Sequence, residues 1–173
     1  MIDKVFIFIV FACLGSASFA AGDGRNARPN AAEPVAAGAD TPTPGADGVV
    51  FQALAFLGVH YRMGGRAPAT GFDCSGLVRH VFLEAHGTTL PETSREMSRV
   101  GEKIGRDSMQ PGDLVFYNTL RRAFSHVGIY LGDDRFIHAP STGSEVRIEN
   151  MNSPYWAHRF NGARRVLATT SAR

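Results

Sequence analysis

Between residues 21 and 48 the chain offers almost nothing from which a core could be built. Those 28 positions hold 8 Ala, 5 Gly and 4 Pro, no aromatic residue, and Val35 as the only large aliphatic side chain. Burial of so little apolar surface cannot offset the entropy of ordering the segment. It therefore reads as a flexible linker with an end-to-end distance of roughly 30 Å. The fold must come from residues 49–173, a length suited to one domain, in which 15 Lys+Arg face 11 Asp+Glu for a net +4. The whole chain carries +2 with a pI near 8.7, and its 44% apolar and 20% charged residues exclude disorder throughout and a multi-spanning membrane protein. That charge is too mild to imply a nucleic-acid partner, and it leaves open a basic surface facing an acidic polymer.

Residues 1–20 (MIDKVFIFIVFACLGSASFA) place a lone Lys4 before an apolar run from Val5 to about Gly15, with small residues ending at Ala20. The run is too short to span a bilayer as a helix, and the pattern is that of an export signal cleaved near Ala20. A second route stays open, because Val10-Phe11-Ala12-Cys13 loosely resembles a bacterial lipobox, although Phe11 and the early position fit it poorly. Lipidation of Cys13 would add a membrane tether. Both routes lead out of the cytoplasm.

The chain has two cysteines, Cys13 and Cys74, too few for a disulfide scaffold or a thiolate metal site. In the folded part, Val49–Leu57 is apolar nearly throughout and is stopped by Gly58. Residues Cys74–Ala85 predict a second helix with Leu77, Val78, Val81, Phe82 and Ala85 on one stripe, Leu83 outside it, and Gly87 as its stop. A short third helix is expected around Thr93–Arg99. After Gly101 the pattern becomes strand-rich: 113–118, 126–131, 135–139, 145–149 and 163–167, with a short helix at 154–159. Helices first and adjacent strands second indicate an α+β domain with a small antiparallel sheet.

The stretch Gly71-Phe72-Asp73-Cys74-Ser75-Gly76 delivers a cysteine to the first turn of a helix, where free backbone N–H groups favour a thiolate and could hold an oxyanion. A lone Cys on an apolar helix face is commonly a small core residue. An exported protein that retains an unpaired thiol, however, needs a reason for it. The candidate bases are His60, His80, His86, His126, His138 and His158. Along 126–131, His126, Gly128 and Tyr130 share one face, and Phe136 and His138 share one along 135–139. If these strands pair as a hairpin over Leu131–Arg135, His138 sits opposite Gly128 and diagonal to His126, within side-chain reach. A register shifted by one residue would put the two rings on opposite faces. Cys–His–His meets the requirements of an activated nucleophile with an oriented base. His80 and His86 lie on the polar side of the Cys helix and read as solvated, and His60 and His158 lack an arguable partner. With no HExxH and no CxxC pair, metal chemistry has little support, and no cofactor is implied.

Tyr61-Arg62-Met63-Gly64-Gly65, the Cys74 stretch extended to Leu77-Val78, Leu90-Pro91, and Pro111-Gly112-Asp113-Leu114-Val115-Phe116 resemble the NlpC family of papain-like cell-wall cysteine peptidases. His126-Val127-Gly128-Ile129-Tyr130, His138-Ala139-Pro140, and Tyr155-Trp156 with the run Ala163–Val166 extend the resemblance over 58–167. The resemblance implies a papain-like core with Cys74 as nucleophile, His126 as base and His138 as the orienting third residue. It also implies Tyr61 near the oxyanion site and Asp73 and Ser75 at the polar end of the substrate peptide. In plain structural terms Tyr61 could equally be a core-edge aromatic, and Asp73 and Ser75 a helix cap. The implied reaction is amide hydrolysis in peptidoglycan stem peptides through a thioester, at γ-D-glutamyl–diaminopimelate or D-alanyl–diaminopimelate bonds. The implied location is the periplasm or cell envelope of a Gram-negative bacterium. An amidase or acyltransferase on another amide or lipid, or a non-catalytic cell-wall binder, are the alternatives. Glu92 stands where relatives commonly have Arg, and Met97 where they commonly have Gln. Both are expected at the cleft rim, where they bear on substrate preference.

Overall fold

The computed structural model describes residues 45–167. The export segment with its lipidation alternative, and the linker up to residue 44, lie outside the described residues. In chain order the elements are α1 (Ala46–Leu54), β1 (Arg66–Ala67), β2 (Gly71–Phe72), α2 (Cys74–His86), α3 (Ser94–Met97), β3 (Glu102–Ile104), β4 (Leu114–Tyr117), β5 (His126–Gly132), β6 (Arg135–His138), β7 (Arg147–Asn150), α4 (Pro154–Ala157) and β8 (Phe160–Arg165). The strands β3-β8-β4-β5-β6-β7 form one six-stranded sheet, in that order, with every pairing antiparallel. Hence the α+β expectation, helices packed on a small antiparallel sheet, matches the structure.

Alternation along the strands separates two cores. Leu114, Phe116, Val127, Ile129 and Ile137 join Leu77, Val78, Val81 and Phe82 of α2 and Val49 and Ala53 of α1. Val115, Tyr117, Tyr130, Phe136 and Ala163 point the other way and pack with Trp156 of α4, Met151 and Ile104. The helical stripe read from the sequence is buried at Leu77, Val78, Val81 and Phe82, while Leu83 is 49% exposed. Gly87 terminates α2 in a left-handed conformation, with its N–H bonded to Leu83 and Phe82 carbonyls.

Several boundaries differ from expectation for identifiable reasons. The first helix begins at Ala46, inside the stretch assigned to the linker, and ends at Leu54 before a turn to Gly58. The strand expected at 163–167 runs Phe160–Arg165, since Tyr117 pairs with Phe160 and the register against β4 slips between Phe116 and Tyr117. Strand β3 was not expected at all. Its Glu102 and Lys103 are exposed, as befits a sheet edge, so only Ile104 carries an apolar signal. Asp113, from the Pro-Gly-Asp turn, is buried and takes a bidentate bond from Arg165 at 2.8 and 2.7 Å, which locks β4 to β8.

The β5–β6 hairpin carries the decisive detail. Its turn is Asp133–Asp134, both with positive φ, closed by Gly132 paired with Arg135. Two residues further on, Tyr130 pairs with Phe136 and Ile129 with Ile137, so Leu131 is an extra residue, a β-bulge. That register continues to put His138 opposite Gly128, where a Cβ would meet the His138 Cβ at 3.2 Å. The same Cβ would lie 2.7 Å from Phe136 Cδ2 and 2.8 Å from the Ile137 carbonyl oxygen. Gly128→Ala is therefore expected to destabilise the domain by about 1–3 kcal/mol in urea denaturation, because the two strands must part to admit the methyl group.

Candidate active site

Cys74 is the first residue of α2, placed there by a rigid approach segment. Asp73 is the helix N-cap: its Oδ1 accepts from the Gly76 N–H at 2.7 Å and from the Ser75 hydroxyl at 3.0 Å. Its Oδ2 accepts from the Gly64 N–H at 3.0 Å, while the Asp73 amide donates to the Gly65 carbonyl at 3.1 Å. The two glycine stretches are thus laced together through one carboxylate. Gly65 and Gly76 are required by close approach: a Cβ on Gly76 would run into the Gly65 carbonyl, and one on Gly65 into the Gly71 carbonyl. Tyr61 packs beside Cys74 at the edge of the helix-side core, and its hydroxyl lies 3.6 Å from the Met63 sulfur. Burial, followed by the neighbouring Cys74 and Asp73, raises its phenol above the ordinary value.

The thiol at Cys74 has no disulfide partner among the described residues. Burial and then the Asp73 carboxylate push it up to about 11, while the backbone N–H groups of Val127, Ser75 and Cys74 pull the other way. Contact with the Val127 amide sets the sulfur against the residue that follows His126. On β5 and β6, His126 Nε2 and His138 Nδ1 lie 2.7 Å apart, with the rings nearly perpendicular. Both are buried, at 4% and 0% exposure. Burial depresses His126 to about 4; burial, then His126, then Arg147 hold His138 well below the ordinary imidazole range.

The pair sits in an aromatic box that sequence reasoning missed. Trp156 stacks on His126 at 5.7 Å and meets His138 edge-on at 5.0 Å, and Phe136 lies 4.8 Å from His138. Trp156 is the only tryptophan in the chain, but helix α4 is too short for any periodicity to indicate which way it points. Asp73 and Ser75 are committed to the helix start, as described above. Met97 is fully buried in the helix-side core, so the expectation that it lies at the cleft rim is corrected: it governs packing. Glu92, exposed just before α3, takes a bidentate bond from Arg66 at 3.0 and 3.3 Å and lies 3.5 Å from Arg79. His80 is not simply solvated, since its ring lies 5.1 Å from Phe56 and 5.2 Å from Phe72. His86 is half-buried, and His60 and His158 are exposed. Among the described residues no group of three or more His, Cys, Asp and Glu side chains is gathered that could hold a metal ion.

A helix-start cysteine packed against the first residues of β5, whose buried His126 meets His138 of the neighbouring strand β6, defines a papain-like α+β domain. More specifically, residues 58–165 match the NlpC/P60 family, and the chain belongs to that family. It is 44% identical over 123 residues to the murein DD-endopeptidase MepS/murein LD-carboxypeptidase of Escherichia coli (strain K12), covering 69% of this chain and 62% of that protein. It is 42% identical over 149 residues to the γ-DL-glutamyl hydrolase of Bacillus subtilis (strain 168), covering 86% of this chain and 34% of that one. The chain thus spans between a third and just under two thirds of these relatives' lengths. Among solved structures, an NlpC/P60 family protein from Bacillus cereus ATCC 10987 matches with TM-score 0.68 and 36% identity over 73% of this chain and 42% of that one. The NlpC/p60 domain of the peptidoglycan hydrolase SagA matches with TM-score 0.60 and 31% identity over 69% and 97% respectively.

The buried histidines have a consequence for stability. Unfolded imidazoles bind protons below about pH 6.5 whereas the folded pair does not, so stability is lost as pH falls from there towards 4 and is constant above. For His126, held at about 4, urea denaturation at pH 5 should show about 2 kcal/mol less stability than at pH 7. Replacing both histidines by Gln should remove that part of the slope.

Proposed function

We propose that the protein is a cysteine peptidase that hydrolyses amide bonds of peptidoglycan stem peptides, with Cys74 as nucleophile, His126 as general base and His138 as the residue that orients it. The observation that carries the reading is the 2.7 Å contact between His126 Nε2 and His138 Nδ1, beside a helix-start thiol set against the next residue of the same strand. The family and the names of its murein-acting relatives supply the substrate class.

The chemistry follows from the tautomers. Since His126 uses Nε2 towards His138, its Nδ1 is the nitrogen left to act as base. That role needs a bare Nδ1 and a proton on Nε2, donated to a bare His138 Nδ1; His138 then carries its own proton on Nε2. With the thiol pushed up to about 11 and His126 down to about 4, the resting pair is neutral thiol and neutral imidazole at neutral pH. The thiol therefore loses its proton to His126 as the sulfur attacks the amide carbonyl, with general-base assistance rather than a standing ion pair. The oxyanion is held by backbone N–H groups at the start of α2, with Tyr61 alongside. Collapse breaks the C–N bond, the imidazolium proton leaves with the amine, and a thioester remains. Water, deprotonated by His126, then releases the acid and restores the thiol. Trp156 keeps the imidazole pair out of solvent. The same proposal takes residues 1–20 as an export segment, the stretch from 21 to the start of α1 at Ala46 as a tether, and the rest as the catalytic domain in the cell envelope.

Incubation of purified sacculi with the protein should release muropeptides cut at a diaminopimelate bond, and mass spectrometry would name that bond as γ-D-glutamyl or D-alanyl. Cys74→Ala should release none, and full activity in that variant would falsify the mechanism. His126→Ala should lose nearly all turnover. His138→Gln, whose amide oxygen can accept the His126 proton, should retain about tenfold more kcat than His138→Ala. The acid limb of kcat/KM should fall nearer pH 4 than 6.5, because protonation of His126 removes the base and its folded value is about 4.

A further inference from the structure

Two groups of arginines flank α3, and they differ in what neutralises them. Arg66 and Arg79 are met by Glu92, at 3.0 and 3.5 Å. On the other flank, a groove of about 270 Å³ runs between α3 and the β4–β5 loop and is lined by Arg95, Arg122 and Ser125, among others. Among the described residues Arg95, Arg122 and the adjacent Arg121 have no carboxylate within ion-pair distance, and all three are exposed. The nearest acid on α3, Glu96, is committed to the capping box, where its Oε2 accepts from the Thr93 amide and hydroxyl.

The groove is built rather than incidental. Ser94 Oγ donates to the Phe124 carbonyl at 2.8 Å, the Phe124 amide donates to Asn161 Oδ1 at 2.9 Å, and Ser125 Oγ accepts from the Thr119 amide at 2.9 Å. These bonds hold a loop in which Arg121 and Phe124 both have positive φ, 54° and 56°, a conformation non-glycine residues rarely adopt. Ser125, which lines the groove, directly precedes His126, and Arg122 stands four residues before that proposed base on the same loop. A substrate peptide whose reacting amide lies at Cys74 would carry any free carboxylate on this side into a groove with two unopposed cations, whereas on the other flank Glu92 already balances one of the two arginines.

We infer that the groove formed by Arg95 and Arg122 is a specificity subsite that binds a free carboxylate of the peptide substrate. The inference rests on the proposed peptidase reading for its substrate class, but its test does not depend on turnover. Binding of a synthetic stem tripeptide, L-alanyl-γ-D-glutamyl-diaminopimelate, to the full-length Cys74→Ala chain is measured by calorimetry. It is compared with peptides amidated at the glutamyl carboxylate alone or at the diaminopimelate carboxylates alone. One amidated form should bind about tenfold more weakly, which identifies the carboxylate that enters the groove. The preference should collapse towards one in Arg95→Ala/Arg122→Ala, persist in part in Arg122→Lys, and reverse in Arg122→Glu. It should also shrink with added salt. Equal binding of all three peptides, or a preference that survives the double replacement in a chain with an unchanged melting temperature, overturns the inference. Should the wild-type protein cleave none of the peptides while the Cys74→Ala chain still discriminates through Arg122, the subsite stands and the peptidase reading falls.

Discussion

The single extra residue Leu131 decides whether this domain has a histidine pair at all. A two-residue turn at Asp133–Asp134, closed by Gly132 against Arg135, would by itself propagate a register that places His138 opposite Ile129, on the face that packs against the helices. The bulge shifts the pairing by one, so that Ile129 meets Ile137 and His138 turns to the face of His126. Side chains alternate with a period of two, so a one-residue slip moves every side chain beyond it to the other face. The bulge also keeps Ile137 in the helix-side core and Phe136 in the other. Apolar packing and histidine placement therefore enforce the same register, and Gly128 leaves the space that this register needs.

Once the histidines share a face, their environment sets their chemistry. Trp156 and Phe136 enclose them, and the loss of water disfavours the charged forms of both. The same effect raises the thiol at Cys74, against which three backbone N–H groups work. The thiol and both imidazoles are thus held in their neutral forms around neutral pH. The cost is a fold that loses stability in acid, since the buried imidazoles must be kept uncharged.

Much of the site was legible in the sequence because it rests on local rules. Asp73 before Cys74 is a cap, Gly87 is a stop, and the 3.6-residue stripe from Leu77 to Phe82 points inward whatever it packs against. Strand parity put His126 with Gly128 for the same reason. What escaped notice depended on partners distant in sequence. Met97 reads as a cleft-rim residue until the core closes over it, and Glu92 reads as a rim charge until Arg66 and Arg79 reach it from other elements. Strand β3, with two exposed charges, exists because β8 supplies a ladder at the sheet edge.

The sequence by itself determined the elements and their faces: a helix that begins on a cysteine, strands that alternate, and two histidines each on a known side of its own strand. Only the tertiary structure decided that those sides coincide, that Trp156 covers them, and which arginines are left without a counter-charge. Periodicity is a property of a segment, whereas register, burial and ion pairing are settled between segments. There the choice falls to the arrangement that fills both faces of the sheet at once.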